Sequence, residues 1–179
     1  MSSLCISLKL VVQFKNIMKL LVYMLKQDDP KKCTAAKLVR FNLASAVRRI
    51  PRNSLVLNPY SDLPLCKSDN ALADSITAID CSWEKVNATF KQNFSGINRR
   101  LPFLLAANPT NYSKLGKLSS AEALAGASSI LGFNDLAFGL MNKFKWGHTF
   151  FELNDELLKE YANAKDPSEI QRIEMEYFK

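Results

Sequence analysis

RLPFLLAANPTNYSKLGKLSSAEALAGASSIL, residues 100–131, is the stretch on which the reading of the chain turns. Leu101 to Ala107 is a continuous apolar run set between Arg99-Arg100 and Asn108-Pro109, the pattern of a short, fully buried strand. It is too short to span a membrane. A polar loop follows. Ser119-Ser120-Ala121-Glu122 then has the Ser-x-x-Glu spacing of a capping box, so a helix is expected to start at Ser119 or Ser120 and run through small, apolar residues to Leu131. Strand, loop and capped helix in that order leave N–H groups free at the helix start, a common place to hold a ligand's polar end. A buried strand–helix unit without a ligand is the plainer alternative.

Upstream, Lys19-Leu20-Leu21-Val22-Tyr23-Met24-Leu25 has a strand pattern that begins at Met18. Residues 1–17 add nothing this strand requires and are read as a non-native or mis-assigned start, which mass spectrometry of the native protein would test. The polar turn 27–34 leads into a helix over Ala35 to Phe41, with Leu38 and Phe41 facing inward. After the basic turn Arg48-Arg49-Ile50-Pro51-Arg52, Leu55-Val56-Leu57 reads as a buried strand ended by Asn58-Pro59, the same kind of break as Asn108-Pro109. Ser68 and Asp69 can cap a short helix through Asp74. Ile76 to Ile79 is a further strand, closed by Asp80-Cys81-Ser82-Trp83, and Ser82 is placed to cap a helix from Trp83 to Phe90 before the loop Gln92 to Asn98.

Downstream, Gly132 stops the central helix and Asn134 can cap another to about Phe144. Phe150, Leu153, Leu157, Leu158 and Tyr161 recur at helical spacing, and Asp166-Pro167-Ser168-Glu169 opens a final helix with Pro at its first position. Strands and helices alternating at this pace imply an α/β domain with a largely parallel sheet.

At 179 residues and 47% hydrophobic content the chain can bury one good core. Its four cysteines, Cys5, Cys33, Cys66 and Cys81, contain no CxxC and there is a single His, so neither a zinc site nor a disulfide framework is indicated. A reducing, cytoplasmic setting is expected. Residues 1–150 carry 20 Lys/Arg against 9 Asp/Glu, and residues 151–179 carry 4 against 8. A basic body with an acidic carboxyl-terminal helix suits a polyanionic partner such as nucleic acid, although a solvated basic surface would look the same. The apolar patches between Leu8 and Leu25 are broken by Lys9, Gln13, Lys15, Asn16 and Lys19, so no membrane partner is expected.

Four blocks occur in one order: Asp28-Asp29-Pro30-Lys31-Lys32-Cys33-Thr34; Asp80-Cys81-Ser82-Trp83; Arg100-Leu101-Pro102 with Ala106-Ala107-Asn108-Pro109-Thr110-Asn111-Tyr112; and Phe144-Lys145-Trp146-Gly147-His148. Together they resemble the ribosome-biogenesis aminocarboxypropyltransferases, archaeal type, that modify small-subunit (16S/18S) ribosomal RNA. The likeness runs from about Met18 to about Tyr161. It implies a SPOUT-like α/β fold: a small amino-terminal βα segment (18–53), a parallel sheet in an S-adenosyl-L-methionine-binding domain with a deep trefoil knot (54–163), and carboxyl-terminal helices ending in an acidic one (164–179). It implies transfer of the 3-amino-3-carboxypropyl arm to a nitrogen of a (N1-methyl)pseudouridine, in small-subunit rRNA of a pre-ribosomal particle, by a cytoplasmic monomer. Nothing in composition or periodicity indicates the knot, which runs against the general rule that chains do not thread loops. The family's amino-terminal segment has been likened to a metal-binding domain in a ribosome-recycling ATPase. Here its block holds Cys33 alone, and one thiol makes no metal site.

Such a reaction needs a base nitrogen to attack the arm's γ-carbon while neutral methylthioadenosine leaves a sulfonium. The protein must chiefly orient the arm. The resemblance assigns cofactor contacts to Thr34, Leu57, Pro59, Ile79, Asp80, Trp83, Leu104, Leu105, Lys117, Leu118, Ser119 and Ser120. Trp83 would occupy the space around the methyl group. Asp80, a carboxylate at a strand tip, could orient the ammonium or accept the base proton, so these two are the catalytic candidates. The alternatives are a core aromatic for Trp83, a turn cap for Asp80 and a helix-start residue for Thr34. Leu104, Leu105 and residues 117–120 are expected to act mainly through backbone groups. The loop departs from the family at Ser113, where members often have Gly. Arg48, Arg49, Arg52, Arg99, Arg100, Lys114, Lys117, Lys143 and Lys145 are the candidates for a phosphate-binding rim. Trp146, His148 and Tyr112 could stack on bases or simply pack. Two other functions compete: a SPOUT methyltransferase, differing only in which carbon moves, and a non-catalytic RNA-binding assembly factor. No GxGxxG follows any strand, which disfavours a dinucleotide-dependent dehydrogenase.

Overall fold

The computed structural model describes residues 18–25, 33–82, 84–90 and 94–179. Five strands, β1 (Lys19–Met24), β2 (Ser45–Val47), β3 (Ser54–Leu57), β4 (Ser75–Asp80) and β5 (Ile97–Arg99), form one sheet in the order β2-β1-β4-β3-β5. Every pairing is parallel. The helices are α1 (Thr34–Arg40), α2 (Val86–Thr89), α3 (Ser120–Ile130), α4 (Asn134–Met141), α5 (Gly147–Asn163) and α6 (Pro167–Tyr177), with a 3-10 helix at Lys67–Ala71. Because β1 lies between β2 and β4, the amino-terminal segment is part of the same sheet as the rest of the chain.

β4 is buried at all six positions, as a central parallel strand covered on both faces must be. Ile76 and Ala78 join the main core with α3, whereas Ile79 packs with Val56 and Ile50 in a second cluster flanked by Tyr23, Phe90 and Phe94. α3 buries nine of its eleven residues, consistent with its small, uniformly apolar composition. A Cβ on Gly126 would come within 2.7 Å of Leu104 Cδ1, so any larger residue there makes the buried Leu104 side chain shift.

Leu101–Ala107 is not a strand. It is extended and largely buried, and its contacts with other extended chain are isolated bridges, Pro64 with Arg100 and Leu105 with Leu115. The loop backbone at Ser113, Lys114 and Gly116 takes Ala106 and the Leu104 carbonyl, and side chains from later helices take other backbone groups. Asn154 of α5 accepts from Leu105 N–H (2.7 Å) and donates to Leu105 C=O (2.9 Å), Tyr161 Oη donates to Phe103 C=O (3.1 Å), and Glu174 of α6 accepts from Phe103 N–H (2.9 Å). An apolar run reports burial; it does not report which groups meet the buried backbone's hydrogen bonds. Asn154→Leu preserves volume but strands these partners, so it is expected to cost about 2–4 kcal/mol, read as a lower urea midpoint at unchanged slope.

Other expectations shift more modestly. Leu38 is fully buried, but Phe41 caps α1 and is 44% exposed. The segment over 68–74 is a 3-10 helix in which Asp69 reaches back to Cys66 N–H at 3.0 Å. The helix after Ser82 shrinks to Val86–Thr89 with Lys85 at its cap, and Asn134 is the first residue of α4 rather than its cap. Strands β2 and β5, three residues each, are too short to show a period, and β5 takes up part of the expected loop Gln92–Asn98. Residues 1–17, most of the turn 27–34 and Trp83 lie outside the described residues.

Candidate functional site

β1 is followed by a connection through α1 to β2 at one edge, and β4 by a connection through α2 to β5 at the other. The neighbouring carboxyl ends of β1 and β4 are therefore a topological switch point, the usual place for a ligand crevice in an open parallel sheet. Asp80, the last residue of β4, sits there in register with Met24 and is 7% exposed.

Two elements converge on its carboxylate. Ser120, the first residue of α3, donates to Oδ1 at 2.8 Å, and the thiol of Cys33, the cap of α1, donates to Oδ2 at 3.2 Å. Cys33 Sγ in turn accepts from Ala36 N–H at 3.2 Å. A carboxylate has about four acceptor positions, so these two bonds leave room for a cationic donor. Burial pushes the Cys33 thiol up to about 11, and the neighbouring Asp80 carboxylate adds to the rise; the backbone N–H of Ala36 opposes it. The thiol is thus a neutral donor at physiological pH. Because the folded state raises this pKa from its ordinary value near 9.0, Cys33 favours the fold fully below about pH 9 and progressively less as pH climbs through about 11. Cys33→Ala should remove that component: the difference in melting temperature between the two proteins is expected to narrow between pH 9 and 11. A constant difference would contradict it.

Glu122 organises the start of α3 and the segments that meet it. It is completely buried, and each of its oxygens takes two donors: Ala107 N–H (2.6 Å) and Asn108 N–H (3.0 Å) on Oε1, Asn108 Nδ2 (2.7 Å) and Ser119 N–H (2.7 Å) on Oε2. The expected capping box is present, with Ser119 Oγ accepting from Glu122 N–H. The same carboxylate also joins the end of the 101–108 segment to the loop before α3, which the Ser-x-x-Glu spacing does not reveal.

Among the other candidates, Thr34 is half-buried as the first residue of α1, Leu57 is buried beside β4 in register with Ala78, and Pro59 is exposed beyond β3. The Ile79 side chain belongs to the second cluster on the opposite face. Leu104 is fully buried against α3. Leu105 has both backbone groups engaged by Asn154, its carbonyl keeping one acceptor position. Lys117 is exposed, Leu118 buried and Ser119 half-buried.

The basic candidates separate. Arg48, Arg49, Arg52, Lys114, Lys117, Lys143 and Lys145 are exposed. Arg52 lies near the amino end of β3, away from the crevice. Arg99 and Arg100 are drawn inward. Arg99 pairs with the buried Asp69 at 2.9 Å, and Arg100 makes two bonds to Glu174 at 2.7 and 2.8 Å, tying α6 to the body. These ion pairs remove both from the expected rim. Of the aromatic candidates, the half-buried Trp146 packs on Phe144 with ring centroids 5.1 Å apart, and His148 is exposed.

The parallel sheet and the buried carboxylate at its switch point place the chain among the open parallel-sheet α/β proteins, a class that binds ligands at the sheet's carboxyl edge. A family model described as "Ribosome biogenesis protein, C-terminal" matches residues 55–178, and one described as "Possible Fer4-like domain in RNase L inhibitor, RLI" matches residues 18–49. Among the described residues, no group of three or more His, Cys, Asp or Glu is placed to hold a metal ion. A 16S rRNA aminocarboxypropyltransferase from Methanosarcina acetivorans is 44% identical, over 88% of this chain and 93% of its own length. One from Thermoplasma volcanium is 48% identical over 86% and 94%. The solved structure of a SAM-dependent rRNA:acp-transferase from Vulcanisaeta distributa superposes with a TM-score of 0.80 at 40% identity, covering 88% of this chain and 89% of that one. The chain belongs to the family of 16S rRNA aminocarboxypropyltransferases.

Proposed function

We propose that this chain transfers the 3-amino-3-carboxypropyl group of S-adenosyl-L-methionine to a pseudouridine nitrogen of small-subunit ribosomal RNA during ribosome maturation. The observation that carries the reading is Asp80: a buried carboxylate at the switch point, held by Ser120 and Cys33 with acceptor positions to spare. That donor set fits the bound group, whose arm ends in an ammonium, and the buried Leu57 at the end of the neighbouring strand β3 offers apolar surface. The bound group supplies an activated sulfonium leaving group, so the chain's own task is orientation.

Asp80 receives the ammonium and fixes the direction of the arm, or takes the proton released by the attacked base. Ser120 and Cys33 hold Asp80 in place. Trp83 covers the methyl group and turns the arm's γ-carbon toward RNA, which is the choice that separates this reaction from methyl transfer. Thr34, Pro59, Leu104, Leu105, Lys117, Leu118 and Ser119 border the same pocket, and Ile79 reaches it through its backbone alone, since its side chain lies in the second cluster. Arg48, Arg49, Arg52, Lys114, Lys117, Lys143 and Lys145 meet phosphates, with Arg99 and Arg100 left to their internal carboxylates. Residues 54–163 form the binding unit, 18–53 complete its sheet and 164–179 brace it.

A deep trefoil knot belongs to this reading. Its support is that the segment 101–108 is enclosed by partners from α3, α5 and α6, all later in the chain; an experimental chain trace decides it. We also take the chain to act as a monomer in the cytoplasm, in keeping with the absence of a disulfide among the described residues, and sedimentation and cell fractionation test this.

Two incubations with hypomodified small-subunit rRNA decide the reaction, one with cofactor labelled in the carboxyl carbon and one with cofactor labelled in the methyl. Carboxyl label alone entering RNA is expected. Methyl label entering would replace the reaction by methyl transfer, and neither label entering would leave an RNA-binding assembly factor.

A further inference from the structure

We infer that Tyr112 is a stacking platform for a base of the RNA substrate, an inference that rests on the rRNA reading above. Tyr112 is 57% exposed at the tip of the loop 108–116. Among the described residues its ring makes no aromatic contact and its hydroxyl no hydrogen bond, unlike the other strongly exposed tyrosine, Tyr60, which packs on Phe90 and bonds Asn87.

The loop that presents it is not a loose one. Ser113 N–H donates to Ala106 C=O (2.7 Å), Ala106 N–H to Lys114 C=O (3.1 Å) and Gly116 N–H to Leu104 C=O (2.9 Å), so its two arms are laced together. Asn108 turns the first corner by accepting Asn111 N–H on its side chain (3.0 Å), and the same side chain is anchored on the buried Glu122. Ser113, immediately after the ring, holds a left-handed φ of 62°, which fixes the direction of the tip. A rigid backbone presenting an exposed ring has little left to order when a flat ligand settles on it.

Charge selects the ligand. From Arg99 to Ala121 the chain carries no Asp or Glu, and the exposed cations that follow the ring on the same stretch are Lys114, whose ammonium reaches Asn111 Oδ1 at 3.4 Å, and Lys117. An exposed aromatic face on a stretch with cations and no carboxylate matches a base with its phosphates, the way proteins take unstacked bases of single-stranded RNA. The loop then runs through Leu118 into Ser120, the donor to Asp80. A base held on Tyr112 is thus tied to the element that ends at the reacting carboxylate.

The test uses the full chain and a fluorescent small-subunit rRNA hairpin containing the acceptor nucleotide. Tyr112→Ala is expected to weaken RNA binding by about 5- to 100-fold, and Tyr112→Phe to restore it, because the ring face does the work. The affinity for S-adenosylmethionine should not move. The slope of log affinity against log salt should also be unchanged in Tyr112→Ala, whereas Lys114→Ala should reduce it by about 0.7–0.9, since only the lysine releases counterions. Wild-type affinity in Tyr112→Ala, or failure of Phe to restore binding, overturns the platform. A wild-type chain that neither binds the hairpin nor transfers label overturns the rRNA reading beneath it.

Discussion

Asp80→Asn is expected to lower the rate of aminocarboxypropyl transfer by about 10²- to 10⁴-fold while the protein stays folded. The substitution is nearly isosteric, but it removes the charge that would hold an ammonium and puts an NH₂ where one of two donors, Ser120 Oγ or Cys33 Sγ, now points. The hydroxyl can rotate and the thiol is a weak donor, so the fold loses little. Transfer loses its orientation. Single-turnover incorporation of carboxyl label, with cofactor affinity measured separately, resolves the two proposed roles. Loss of affinity and rate together means Asp80 grips the arm, and loss of rate alone means it accepts the proton. A variant working at the wild-type rate would remove Asp80 from the mechanism. Ser120→Ala should show the same pattern in weaker form, since it frees the carboxylate without removing it.

Glu122→Ala is expected to be the most destabilising single change at the site, about 3–5 kcal/mol or a large part of a typical domain's stability. The reason is arithmetic in hydrogen bonds: four donors, three of them backbone N–H groups, lose their acceptor in a place water does not reach. Glu122→Gln should not rescue it, because whichever way the amide is turned, one pair of donors faces an NH₂. Denaturant unfolding gives the magnitude. Amide exchange gives the location: protection should fall first at Ala107, Asn108 and Ser119, and an even loss across the sheet would mean the tie is not local.

Much of this architecture is legible in the residues themselves, because it rests on local rules. β1, β3 and β4 follow from short apolar runs closed by turn residues, the start of α3 from Ser119 and Glu122, and the start of α6 from Asp166-Pro167. The parallel sheet follows from alternation of the elements. Asp80 stands out as a carboxylate at a strand end, and the four sequence blocks name the family.

What was not legible is non-local. Cys33 meets Asp80 across 47 residues, Asn154 meets Leu105 across 49 and Glu174 meets Arg100 across 74, and no periodicity encodes a partner at such a distance. The apolar run 101–107 shows the limit most clearly. Its hydrophobicity required burial, and a strand was the cheapest way to satisfy a buried backbone. The tertiary fold instead surrounded it with Glu122, Asn154, Tyr161 and Glu174 and with the loop 113–116, so side chains and a loop replaced the sheet. The amino-acid sequence by itself determined what had to be buried, where helices begin and which sign of partner the surface favours, since those depend on each residue and its near neighbours. Only the tertiary structure decided which arginines remain exposed and which donors hold Asp80. Both depend on chain segments that meet only after folding.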